Sequence, residues 1–205
     1  MKILLSDAGK RYNREWIFRH LTYEFEQAQA YAITGNNGSG KSTLLQIISG
    51  AVQHSEGTIQ YHEDDLIAAD VQHRFAAMAA PYLELPEEMT LTEFLTFHQS
   101  FKAFLPGLTV KTIIALLGLE RAAAKQIRYF SSGMKQRVKL AQAILSDVPV
   151  VLLDEPCTNL DADGISLYHR LINEYCAERL VIVSSNDEVE YKFCNHKISI
   201  MDYKE

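Results

Sequence analysis

The stretch Gly35-Asn36-Asn37-Gly38-Ser39-Gly40-Lys41-Ser42 holds the residue types that can wrap and neutralise a polyphosphate. Its glycines allow a tight turn whose N–H groups converge on an anion. Every fixed position of the Gly-x-x-x-x-Gly-Lys-Ser phosphate-binding loop, the P-loop, is filled. In such a loop Lys41 reaches the β- and γ-phosphates, and the Ser42 hydroxyl takes a place on Mg²⁺. A second cluster, Val150-Val151-Leu152-Leu153-Asp154-Glu155, is an apolar run ending in two acids. Beside a P-loop, at the C-terminal edge of a sheet, Asp154 would hold Mg²⁺ directly or through water. Glu155 would then orient and polarise the attacking water as general base. Together the two clusters imply a nucleoside triphosphate site with Mg²⁺ as its cofactor.

These residues need strands and helices to carry them. Tyr31-Ala32-Ile33 runs into the P-loop as a strand, and Thr43-Leu44-Leu45-Gln46-Ile47-Ile48 leaves it as a helix whose positive end faces the anion. Short β-branched runs recur along the chain with helical stretches between them, the pattern of an α/β sheet with both faces covered. Strands are expected at residues 2–6, 30–34, 58–61, 75–79, 150–153, 180–184 and 197–201, and helices at 41–49, 133–145, 161–176 and 187–193. The character changes over residues 81–130. There 91–104 and 110–117 read as helices broken by Leu105-Pro106-Gly107, with no strand between them. The 205 residues are therefore expected to form a single domain, with a core of 1–80 and 131–205 and an inserted helical lobe at about 81–130. An apolar content of 47% supports a proper core, and a net charge of −6 argues against a large nucleic-acid surface. Three widely spaced cysteines fit neither a disulfide framework nor a zinc site. The apolar run at Met1-Lys2-Ile3-Leu4-Leu5 is too short for a signal peptide, and no segment reaches the ~20 apolar residues of a membrane span.

Phe130-Ser131-Ser132-Gly133-Met134-Lys135-Gln136-Arg137, just before a long helix and upstream of Asp154-Glu155, resembles the Leu-Ser-Gly-Gly-Gln signature of ABC ATPases. Ser131 and Gly133 match its two most diagnostic positions, and Ser131 also suits a helix N-cap. Thr158-Asn159-Leu160-Asp161 resembles the D-loop of that family, with Asp161 in the matching place. Tyr12 looks like the aromatic residue that stacks on adenine, although Trp16 is a near rival. The resemblance implies a P-loop NTPase core of ABC type. It also implies a head-to-tail dimer, homodimer or heterodimer, in which each ATP lies between two chains. One chain would contribute Gly35 through Thr43, including Asn36, Asn37, Ser39 and Gly40, and the other Ser131, Gly133 and Asp161. It further implies a separately encoded membrane-spanning permease, contacted by the helical lobe, and a stand-alone subunit on the cytoplasmic face of the cell membrane. The Gly-Met-Lys-Gln-Arg tail of the signature resembles export-type systems.

Two family residues are replaced. Where ABC ATPases present Thr-His-Asp after a strand, this chain has Ser185-Asn186-Asp187, so Asn186 stands for the γ-phosphate-sensing histidine. An amide can donate to phosphate but is shorter and never a cation. The glutamine expected near Pro81, which in the family helps hold Mg²⁺ and couples the lobe to the core, is absent from Ala79-Ala80-Pro81-Tyr82-Leu83-Glu84. Tyr82 and Glu84 are the polar residues available there. With Glu155, Lys41, Ser42 and Asp154 in place, hydrolysis is the expected activity. An ATP-gated regulatory module with little turnover is the alternative that the two replacements favour.

Overall fold

The structure, a computed structural model, describes residues 1–204. A parallel sheet forms its centre, with strands in the order β6 (Ala76–Ala79), β7 (Val150–Asp154), β8 (Leu180–Ser184), β3 (Ala30–Thr34) and β9 (His196–Ser199). Strands β7 and β8 are buried along their whole length, as expected of apolar runs covered on both faces. Their side chains part by the period of two. Leu152 and Ile182 enter one core with helix α1 (Lys41–Ile48), while Val151, Leu153, Val181 and Val183 enter the other.

An antiparallel sheet covers the α1 side, in the order β2 (Glu15–Glu26), β1 (Lys2–Tyr12), β4 (Glu56–His62), β5 (Leu66–Ile67). Its Ile3, Phe18, Phe25 and Tyr61 complete that core. The sequence pattern concealed β2 altogether and half of β1. Phe18, Leu21 and Phe25 are the buried residues of β2, three and four apart, which imitates a helical period. The cause is a bulged register, with His20 at φ 56 and Asp7 at φ 51 absorbing extra residues.

The other core holds α4 (Ser132–Ile144), α5 (Ala162–Tyr175) and the segment between β6 and α4. That segment carries α2 (Leu91–Phe101), α3 (Val110–Leu116) and short 3₁₀ turns, and among the described residues the one strand-like pairing with both partners inside it is the isolated bridge Thr90↔Gln126. Helix α2 stops three residues before its expected end, because Phe104 leaves the helix and bridges to Ser146. A last helix, α6 (Glu188–Tyr191), follows β8. Cys157, Cys176 and Cys194 are free thiols. No helix among the described residues is long and apolar enough to cross a membrane.

Candidate nucleotide site

Because β7, β8 and β3 are adjacent and parallel, the segments leaving their C-terminal ends meet. These are Glu155, residues 185–187 and the P-loop, gathered where open α/β sheets bind ligands. The P-loop bends over α1 through Gly40, whose φ of 102 lies in the left-handed region. A Cβ at that position would come within 2.4 Å of Ile17 Cγ2, so only glycine fits. Gly40 is also the N-cap of α1 and offers no side chain to its first N–H groups. The helices α2 to α6 all begin with a side-chain cap, from Thr90, Thr109, Ser131, Asp161 and Asp187. The uncapped N–H groups of α1 are thus left for an anion.

A hollow of about 200 Å³ opens above them, lined by residues 37–43, Ile17 and Glu155. Lys41 is buried beside it, with Nζ donating to the carbonyls of Gly35 (2.7 Å) and Asn36 (3.2 Å). Asn186 joins the rim from the neighbouring strand end. Its Oδ1 accepts from the Gly35 N–H (3.2 Å) and its Nδ2 donates to Asn37 Oδ1 (3.1 Å). Glu155 sits at φ 41, a strained conformation for a non-glycine residue, held by its N–H donating to Ser184 O (2.9 Å).

Asp154, one residue earlier, lies under the hollow and is 2% exposed. Burial raises its pKa, and the nearby hydroxyls of Ser42 and Ser184 and the Lys41 ammonium work against that shift. Its Oδ1 is buried without a hydrogen-bond partner. An orphaned carboxylate oxygen beside the Ser42 hydroxyl suits a hard divalent cation that takes oxygen ligands, so these residues fit Mg²⁺.

The signature residues are elsewhere. Ser131, Gly133, Asn159 and Asp161 line a second hollow of about 370 Å³ that shares no residue with the first. Ser131 Oγ accepts from Met134 N–H (3.2 Å) as the cap of α4. A Cβ on Gly133 would lie 3.0 Å from the Asn159 carbonyl. Asp161 caps α5 by accepting from Gly164 N–H (2.8 Å) and pairs with Arg137 (3.1 Å), contacts that lower its pKa.

Tyr12 lines neither hollow. It is exposed at the end of β1 with Lys10 Nζ 4.7 Å above its ring, while Trp16 lies between the guanidinium groups of Arg11 and Arg19. Three structural contributors carried no sequence signal: Ile17, Ser184 and Glu190. Glu190 is buried, accepts from Cys157 N–H (2.6 Å) through Oε1, and its carbonyl accepts from Tyr168 Oη (2.7 Å). It ties the segment behind Glu155 to the one behind β8.

The ABC transporter family model matches residues 18–158. The cytochrome c biogenesis ATP-binding export protein CcmA of Xanthomonas axonopodis pv. citri (strain 306) is 34% identical over 167 residues, covering 80% of this chain and 76% of that protein. HrtA of Staphylococcus aureus (strain MRSA252), an ATP-binding protein whose name assigns it to hemin import, is 26% identical over 222 residues, 100% of this chain and 97% of its own. Among solved structures, an ATP-binding subunit of an ABC transporter superposes with a TM-score of 0.83 at 25% identity, covering 97% of this chain and 85% of that one. The dimeric bacterial ABC transporter cassette MJ0796 gives a TM-score of 0.79 at 22% identity, over 97% and 94%. A P-loop set on an adjoining strand pair, a matching model over most of the chain and relatives of this similarity lead to one conclusion: the chain belongs to the ABC transporter family, as one of its ATP-binding ATPase subunits.

Proposed function

We propose that the chain binds ATP with Mg²⁺ in the hollow above α1 and hydrolyses it between two such chains, driving export through a separate membrane-spanning partner. The observation that carries this is the convergence of Lys41, Ser42, Asp154, Glu155 and Asn186 on adjacent strand ends around one hollow with an uncapped helix start. Lys41 Nζ would leave the Gly35 and Asn36 carbonyls for the β- and γ-phosphates, letting the loop open around its ligand. Asn186 Nδ2 would leave Asn37 and donate to the γ-phosphate. Glu155, its backbone already fixed, would accept a hydrogen bond from the attacking water and align it with the phosphorus. Bound Mg²⁺, held by Ser42 and Asp154, would supply charge neutralisation. The second hollow, with Ser131, Gly133 and Asp161, would close over the ATP of a partner chain, because it lies apart from the chain's own P-loop.

Export is supported by the Gly-Met-Lys-Gln-Arg tail and by the CcmA relatives, which are named for export; HrtA, named for import, points the other way. The lobe carries a surface suited to the membrane partner. Phe94, Leu95 and Phe104 are core, but Phe97 and Phe101 are exposed and pack edge to face at 4.8 Å. Such a partner would hold the chain at the inner face of the membrane. Asn186 and the missing glutamine favour the second reading, an ATP-gated module with little turnover. Mg²⁺-dependent phosphate release, measured against protein concentration for the unaltered chain and Glu155→Gln, separates the two. Release that climbs faster than linearly and drops about 10²–10³-fold in Glu155→Gln supports the motor. ATP binding without release in either protein supports the gated module.

A further inference from the structure

The turn that follows β7 satisfies its backbone in two different ways. Glu155 donates from its N–H to the Ser184 carbonyl (2.9 Å) and its own carbonyl accepts from Thr158 N–H (3.1 Å); the Cys157 carbonyl accepts from Leu160 N–H (3.0 Å). The Pro156 carbonyl and the Cys157 N–H are met by side chains instead, and these two groups belong to one peptide unit. Gln136, in α4, donates from Nε2 to the Pro156 carbonyl (2.7 Å). Glu190, in α6, accepts from Cys157 N–H through Oε1 (2.6 Å). Both side chains are buried, so water is poorly placed to replace either contact. Tyr168 Oη, also buried, donates to the main-chain carbonyl of Glu190 (2.7 Å) and anchors the residue that supplies the acceptor.

We propose that Gln136 and Glu190 are positioning residues for Glu155, gripping from both ends the peptide unit that keeps its strained backbone in place. The inference rests on the base role given to Glu155 above. Glu155 stands at φ 41, which a non-glycine residue keeps only where its surroundings hold it there. On one side its N–H is tied to the end of β8. On the other it leads into Pro156, whose ring fixes φ, so little rotation is free between Glu155 and the 156–157 peptide. Holding that peptide at its carbonyl and at its N–H therefore blocks the rotation by which Glu155 would relax. The chemistry of the two side chains matches: the carbonyl takes a donor from an amide, and the N–H takes an acceptor from a carboxylate. Neither Gln136 nor Glu190 lines the nucleotide hollow, whereas Glu155 does, so both act through the backbone of Glu155.

The test is single-turnover phosphate release from ATP with the protein in excess, beside equilibrium binding of a non-hydrolysable ATP analogue. Gln136→Met and Glu190→Met keep side-chain length and remove one contact each. A base displaced by about an ångström is expected to lower the release rate about 10²-fold, with analogue affinity within about twofold of the unaltered chain. Glu190→Gln, which keeps an acceptor for Cys157 N–H, is expected to recover most of that loss. In a Glu155→Gln background neither Met substitution should lower the rate further, because residues that act through one group are not additive. A further drop there as large as in the unaltered background overturns the proposal, as do unchanged rates in both single variants. Amide exchange at Cys157 gives a readout that needs no variant to fold: slow exchange in the unaltered chain is expected, and rapid exchange overturns the grip on the peptide. Release by the unaltered chain that is insensitive to Glu155→Gln overturns the base role of Glu155, and the positioning role with it.

Discussion

If ATP is shared between the P-loop of one chain and the signature of another, two inactive variants must rescue each other. Lys41→Ala removes the ammonium from the first hollow, and Ser131→Arg fills the second with a bulky cation; the hollows share no residue. Each homodimer of either variant has two broken sites. Loss of a preorganised contact of this kind leaves about 10⁻²–10⁻³ of the rate, so both parents are nearly silent. Random pairing in an equal mixture makes about half the dimers mixed, each with one intact site and one doubly broken site. Sites that fire independently then return about a quarter of the unaltered specific activity. Phosphate release by the mixture, after time for subunit exchange, is the assay. Thermal melts should accompany it, because Ser131→Arg forfeits the α4 cap at a cost of about 1 kcal/mol. A mixture no more active than its parents, with both variants folded, would refute the homodimeric composite site.

Gly40→Ala should be damaging out of proportion to its size. The left-handed φ and the 2.4 Å approach to Ile17 Cγ2 predict about 2 kcal/mol of strain, a Tm drop of about 4–8 °C and at least about tenfold weaker ATP binding. An unchanged melt and affinity would mean that the loop is not held as described. His98 gives a pH signature. Burial, aided by Lys102, lowers its pKa to about 4, and its Nε2 lies 2.9 Å from Ser146 Oγ. The unfolded chain takes up this proton first, so the contribution is complete above pH 6.5 and is lost as pH falls towards 4. Partial solvent exposure limits it to about 1 kcal/mol. Urea midpoints from pH 7 to 4 should therefore fall less steeply in His98→Gln, and parallel slopes would argue against a neutral buried ring.

The nucleotide-binding loop, the paired acids and the signature were legible because each is a contiguous run whose chemistry depends on near neighbours. Gly40 between Ser39 and Lys41 already dictates a turn only glycine can make, and the apolar run before Asp154 already dictates a buried strand. Strand β2 was illegible for the opposite reason: its bulges spaced Phe18, Leu21 and Phe25 like one face of a helix. The choice between Tyr12 and Trp16 as an aromatic beside the loop could not be made from spacing either. Folding places Ile17 against Gly40 and leaves both rings outside the hollow. What the sequence determined by itself is local: which residue types stand in runs suited to phosphate, to a cation and to a water molecule. What the tertiary structure alone decided is who meets whom. The order β7-β8-β3 brings Glu155, Asn186 and Lys41 together across more than a hundred residues and leaves Ser131 and Gly133 in a hollow of their own. Strand order follows from the burial of whole faces, which no short stretch of residues encodes.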